Sequence, residues 1–187
     1  MPNRMISNIP NILTLSRIFL IPVLALLLYF IDNRTNDWLC ASLFALACIT
    51  DFLDGYLARV YAIQSKLGAL LDPIADKLLV SAIILILVAK GKVYILPSLA
   101  IICREILVSG LREFLATLKV KMPVTRAAKL KTGIQMFALF LLILGDRGSG
   151  IEQVNMIGNI FLWLAAILTI ATGYVYLRKT IESLGIR

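Results

Sequence analysis

The feature that most constrains this chain is a sixfold alternation of long apolar runs with short charged or turn-forming breaks. The runs cover residues 12–31, 38–60, 72–89, 93–118, 130–145 and 153–177. Crossing a bilayer core of about 30 Å takes roughly 20 apolar residues in a helix, and each run is of that order. Hydrophobic residues make up 60% of the 187 and charged residues 16%, a mixture too apolar for an ordinary soluble domain. The expected fold is an all-α integral membrane protein of six transmembrane helices, built as a single domain over 1–187. The first run lacks a small-residue cleavage pattern and follows a polar segment containing Arg4, so it reads as a retained span.

Charge sets the orientation. The breaks at 32–37, 90–92 and 146–152 hold only Arg34, Lys90, Lys92 and Arg147 of the nineteen Lys and Arg residues. The positive-inside rule puts the other breaks and both termini in the cytoplasm, an N-in/C-in topology. The net charge of +8 then belongs against anionic membrane lipid rather than nucleic acid. Histidine is absent, which removes His-based nucleophile activation, proton shuttles and metal ligation. Cys40, Cys48 and Cys103 lie in apolar stretches without CxxC spacing and read as small buried hydrophobes.

Counting inward from the external ends, Arg17, Asp51, Asp76, Arg104 and Lys131 each lie 12–15 residues deep. That corresponds to roughly 18–23 Å in five different helices. A charge facing lipid costs about 2.5–3.5 kcal/mol even on the lenient insertion scale, so a common depth implies a shared polar cavity open to the cytoplasm.

Asp51 and Asp54 are three apart, and Asp72 and Asp76 four apart; both spacings share a helix face. Four carboxylates facing one another in low dielectric need protons or cations, and an all-oxygen ligand set of this hardness suits two Mg²⁺ or Mn²⁺ ions. Asp72-Pro73 also reads as the N-cap and first residue of the third helix, and Asp54 could pair with Arg59.

Asp51, Asp54-Gly55, Ala58-Arg59, Gly68, Asp72 and Asp76 resemble the signature of the CDP-alcohol phosphatidyltransferases at every fixed position. The resemblance implies a six-helix homodimer with a binuclear Mg²⁺ or Mn²⁺ site in the bacterial inner membrane, facing the cytoplasm. It makes Asp51, Asp54, Asp72 and Asp76 metal ligands and Asp76 also the catalytic base. Gly55, Arg59 and Ser65 would contact CDP-diacylglycerol, with Thr14 and Arg17 on the same side. A glycine admits the nucleotide to the helix backbone and a guanidinium forks onto pyrophosphate, although Gly55, Ala58 and Gly68 serve helix packing equally well.

Asn8-Ile9-Pro10-Asn11, Thr14-Leu15-Ser16-Arg17, Cys103-Arg104-Glu105-Ile106, Ser109-Gly110-Leu111-Arg112-Glu113 and Lys129-Leu130-Lys131-Thr132 with Gln135 are similar to segments of the bacterial phosphatidylglycerophosphate synthase branch. The implied acceptor is glycerol 3-phosphate, with Arg104, Arg112, Lys129 and Lys131 on its phosphate and Glu105 and Glu113 orienting those cations. Charge alone accommodates an inositol phosphate equally well. The rival class is an ion-coupled transporter, since acidic residues at membrane depth also make proton or Na⁺ sites. Against it stand Gly55 and Arg59 in register with the aspartates and the lack of an evident inverted repeat.

Overall fold

The structure, a computed structural model, describes the backbone of residues 4–61, 66–118 and 126–183 and the side chains of 15–51, 71, 73–118 and 127–182. Six helices follow one another: α1 Arg4–Phe30, α2 Arg34–Tyr61, α3 Lys66–Ala89, α4 Ile95–Thr117, α5 Arg126–Ser149 and α6 Val154–Ser183. There is no strand among the described residues.

Local chemistry fixes the helix ends. Asn33 is the N-cap of α2: its Oδ1 accepts the backbone N–H of Asn36 at 2.7 Å. Asn36 in turn donates to the carbonyls of Leu27 and Ile31, closing the C-terminus of α1. This capping relay starts α2 four residues before the apolar run predicts. At the end of α3, Gly91 has a φ of 67°, Gly91 N–H meets the Val88 carbonyl and Lys92 N–H the Leu87 carbonyl. That is the Schellman arrangement, which needs a left-handed residue at this position. Regular helix in α5 stops at Gly145, whose φ is 63°.

One expectation is corrected. α3 begins at Lys66 and runs through Pro73, so Asp72 is not its N-cap. Lys66 and Gly68 break the apolar pattern, but a helix outside the apolar layer needs no apolar side chains. Pro73 withholds one backbone donor without ending the helix.

α1 packs on α2 and α3, α5 on α2 and α6, and α4 on α6. Leu24, Phe44, Ile83, Leu87, Ile101, Leu139, Leu142 and Leu162 are at most 1% exposed and form one continuous core. The outer surface is also apolar: Phe19, Phe30, Ile95, Leu96, Ile106, Leu130 and Tyr174 are all exposed. Apolar exposure on that scale marks a surface that contacts something other than water. Among the described residues, the segments Ala127–Ser149 and Val154–Glu182 are each long and apolar enough to cross a membrane.

The three breaks at 31–33, 90–94 and 146–153 meet at one end of the bundle. Arg147 reaches buried Asp37 through Nε at 2.7 Å and Nη2 at 2.8 Å, and Asp32 at 3.1 Å. Lys90 bonds Asp32 at 2.7 Å and the Leu28 carbonyl at 2.6 Å. Asp146 accepts the Asn155 backbone N–H, and Asn159 donates to the Lys92 carbonyl. The Lys90 ammonium, followed by the Arg147 guanidinium, holds the Asp32 carboxyl below its usual range, whereas burial lowers the Lys92 ammonium. The Asp32 contribution is therefore present above the pKa of an unfolded aspartate and fades as pH falls through the lowered value.

Close approach of α6 to α5 depends on Gly158: a Cβ there would lie 2.7 Å from Leu142 Cγ and 2.9 Å from its Cδ2. Gly158→Ala should therefore destabilise the protein by about 1–3 kcal/mol through overpacking. Gly133→Ala, where nothing lies within 4 Å, should leave stability unchanged or slightly higher. Thermal unfolding of the two variants in the same detergent checks this, and equal melting temperatures would refute the packing argument.

Candidate active site

Arg17 is the meeting point of the first three helices. Its Nη1 lies 2.7 Å from Asp51 Oδ1 on α2 and 2.8 Å from Asp76 Oδ1 on α3. The Arg17 side chain is 4% exposed, whereas Asp51 and Asp76 are 39% and 40% exposed, so the guanidinium forms the floor and the carboxylates face outward. A buried guanidinium is tolerable only when charge-assisted bonds of this quality replace its water. The two carboxylate oxygens meet on one nitrogen of Arg17, and both carboxylates open on the same cavity. Acidic oxygen donors in that relation fit a hard divalent cation.

The other three helices are joined at the same level. Glu105 of α4 accepts from Lys131 of α5, which is 3% exposed, and from Arg104 Nη1 at 3.2 Å. Arg104 also donates to Thr172 of α6 at 3.1 Å and lies 5.8 Å from the Tyr176 ring centre. Arg112 donates to the Tyr176 hydroxyl at 3.3 Å and stacks on the same ring at 5.2 Å. Gly173 leaves room for this: a Cβ would sit 3.0 Å from Arg104 Cγ.

Between the two halves is a cavity of about 480 Å³. Arg17, Asp51, Asp76, Arg112 and Lys131 of the predicted site line it, as do Glu105 and Glu113. Arg104 is not in its wall but behind it, holding Glu105 and α6. Lys129 lies elsewhere, in an open groove with Leu130, Phe137 and Phe161. The side chains of Thr14, Asp54, Arg59 and Asp72, and the whole of Ser65, lie outside the described residues, and Gly55 is described only as backbone within α2.

Sequence reasoning gave no role to Lys77, Ser109, Thr172 or Tyr176. Lys77 lines the cavity and bonds Ser109 of α4. The signal for α6 was a stripe: Thr169, Thr172, Tyr176 and Thr180 recur every three or four residues and are all buried. Gln135, 2% exposed, lines the cavity with an amide oxygen that has no hydrogen-bond partner among the described residues. A buried acceptor of that kind is a place for a ligand's donor.

A sequence model described as CDP-alcohol phosphatidyltransferase matches residues 7–171. The chain is 54% identical over 175 residues to the CDP-diacylglycerol–glycerol-3-phosphate 3-phosphatidyltransferase of Rickettsia prowazekii, covering 94% of this chain and 96% of that protein. It is 36% identical over 214 residues to the Cereibacter sphaeroides protein of the same name, covering 95% and 97%. An Arabidopsis thaliana protein of that name, numbered 2, is 38% identical over 186 residues, covering 92% of this chain and 79% of its own length. With a match of that extent, and with two of its signature aspartates meeting at Arg17, the chain belongs to the CDP-alcohol phosphatidyltransferase family.

Proposed function

We propose that this protein transfers the phosphatidyl group of CDP-diacylglycerol to glycerol 3-phosphate, releasing CMP and forming phosphatidylglycerophosphate. The convergence of Asp51 and Asp76 on one cavity, opposite a wall carrying Lys131 and Arg112, is the observation that carries the reading. The relatives bearing the name of that reaction cover nearly the whole chain. Family members use divalent metals, and here Asp51, Asp54, Asp72 and Asp76 would hold two, Mg²⁺ or Mn²⁺. Bound there, they would supply charge neutralisation on the phosphate oxygens.

Asp76 accepts the proton of the acceptor hydroxyl as its oxygen attacks the phosphorus that bears the diacylglycerol. The pyrophosphate bridge bond breaks, and its electron pair leaves with CMP. Arg17 holds the Asp76 carboxylate in place through its 2.8 Å charge-assisted bond. Arg59, Gly55 and Ser65, with Thr14, form the donor side. Arg112 and Lys131 attract the acceptor phosphate, and Arg104 acts through Glu105. Gln135 offers its buried oxygen to a substrate hydroxyl.

In this reading all six helices cross the bacterial inner membrane, N-in and C-in, in a single-domain subunit that pairs as a homodimer amid anionic lipid. Their lengths support it: the shortest, α4, has 23 residues, about 35 Å of helix. The apolar outer surface and the gathering of three lightly charged breaks at one end agree with that orientation.

Purified protein given CDP-diacylglycerol, glycerol 3-phosphate and Mg²⁺ should release CMP, and Asp76→Asn should abolish turnover while the protein still inserts. An ion-coupled transporter would release none, and substantial activity in Asp76→Asn would remove the base assignment. Lys131→Ala should raise the KM for glycerol 3-phosphate by roughly one to two orders of magnitude, the worth of a charge-assisted contact. Arg59→Ala should instead weaken CDP-diacylglycerol binding measured without acceptor. Identical defects in the two variants would contradict separate donor and acceptor sides. Topology is open to cysteine labelling in spheroplasts with the native cysteines replaced. Glu152→Cys should react with an impermeant maleimide, and Lys119→Cys only after permeabilisation.

A further inference from the structure

Charge pairing inside the cavity singles out one lysine. Of the cations in its wall, Arg17 is bonded to Asp51 and Asp76, and Lys131 to Glu105. Lys77 and Arg112 are different: among the described residues their hydrogen bonds go to neutral groups, the Ser109 hydroxyl and the Tyr176 hydroxyl. Two half-buried positive charges therefore face the cavity with no carboxylate on either among the described residues.

Their placement is specific. Ser109 and Arg112 are three apart on α4 and share a helix face, which is turned toward α3 and the cavity. Lys77 follows Asp76, but consecutive helical residues point about 100° apart, so Asp76 turns to Arg17 of α1 while Lys77 turns to Ser109 of α4. An ammonium has three donors, and Ser109 takes one. Because the Ser109 oxygen accepts from Lys77, its own hydrogen points elsewhere. Lys77, Ser109 and Arg112 thus offer the cavity a set of donors.

We infer that Lys77, with Ser109 beside it, binds the phosphate of the acceptor and selects a phosphorylated alcohol over an uncharged one. The inference rests on the phosphatidyl-transfer reading above and names a residue within that site. A simple α3–α4 tie needs only a neutral side chain at position 77, whereas a charged one in this setting carries a desolvation cost that an incoming anion relieves. Lys77 and Asp76 line the same cavity, so an acceptor held by its phosphate at Lys77 stays in the space that carries the proposed base.

The test uses the full-length chain in detergent or nanodiscs, with CMP release followed at saturating CDP-diacylglycerol and varied glycerol 3-phosphate. Lys77→Met should raise the acceptor KM roughly 10- to 100-fold and leave the CDP-diacylglycerol KM unchanged. Lys77→Arg should recover most of the loss, and Ser109→Ala should show a smaller shift in the same direction. An unchanged acceptor KM in Lys77→Met, or an equal rise in both KM values, overturns the assignment. If turnover is too slow to fit, equilibrium binding of labelled glycerol 3-phosphate and of CDP-diacylglycerol decides. Loss of the first alone supports the proposal; retention of the first, or loss of both, overturns it. A wild type that releases no CMP with glycerol 3-phosphate would sink the parent reading. An active wild type with a normal acceptor KM in Lys77→Met sinks only the role of Lys77.

Discussion

The architecture depends on placing the Arg17 guanidinium between two carboxylates inside an apolar bundle. An isolated charge there would carry a penalty of several kcal/mol, so the position is stable only if α1, α2 and α3 meet at one height. The same demand recurs across the cavity, where Lys131 needs Glu105, and Glu105 also serves Arg104. Arg104 then binds Thr172 and lies near Tyr176, which brings α6 into the layer. Every helix supplies a member of this polar stratum. The apolar contacts above and below it are permissive in register, and the ionic bonds are not.

That stratum was legible in the sequence because charge in an apolar run is rare and its depth can be counted. Of the five charges at that common depth, Arg17, Asp51, Asp76 and Lys131 line one cavity. What could not be counted was direction. Arg104 and Lys131 lie at similar depths, yet Lys131 lines the cavity and Arg104 points behind it to α6. Lys129 is only two residues from Lys131, and in a helix that places it on the far side, in a separate groove. Lys77 was overlooked because it adjoins a signature aspartate, although one residue of offset gives it a different wall.

Helix limits were misjudged where side-chain chemistry, not hydropathy, sets them. α2 starts at Arg34 because Asn33 and Asn36 form a cap, a polar device inside what reads as a loop. α3 extends to Lys66 because helix continues past the apolar layer, and Pro73 looked like a beginning when it is an interior residue. Gly145 ends the regular part of α5 at the residue where the apolar run stops, and there pattern and backbone agree.

The network at the far end has a mechanical consequence. Asn36 ties α1 to α2, Lys90 ties α3 to α1, Arg147 ties α5 to α2, and Asn155 and Asn159 tie α6 to α5 and to the strap before α4. With all six rods bound at one end, any widening must be a tilt about that end, and displacement grows with distance from it. The layer of short connections is in that sense a rivet, fixing the spacing of the rods at one end of the bundle.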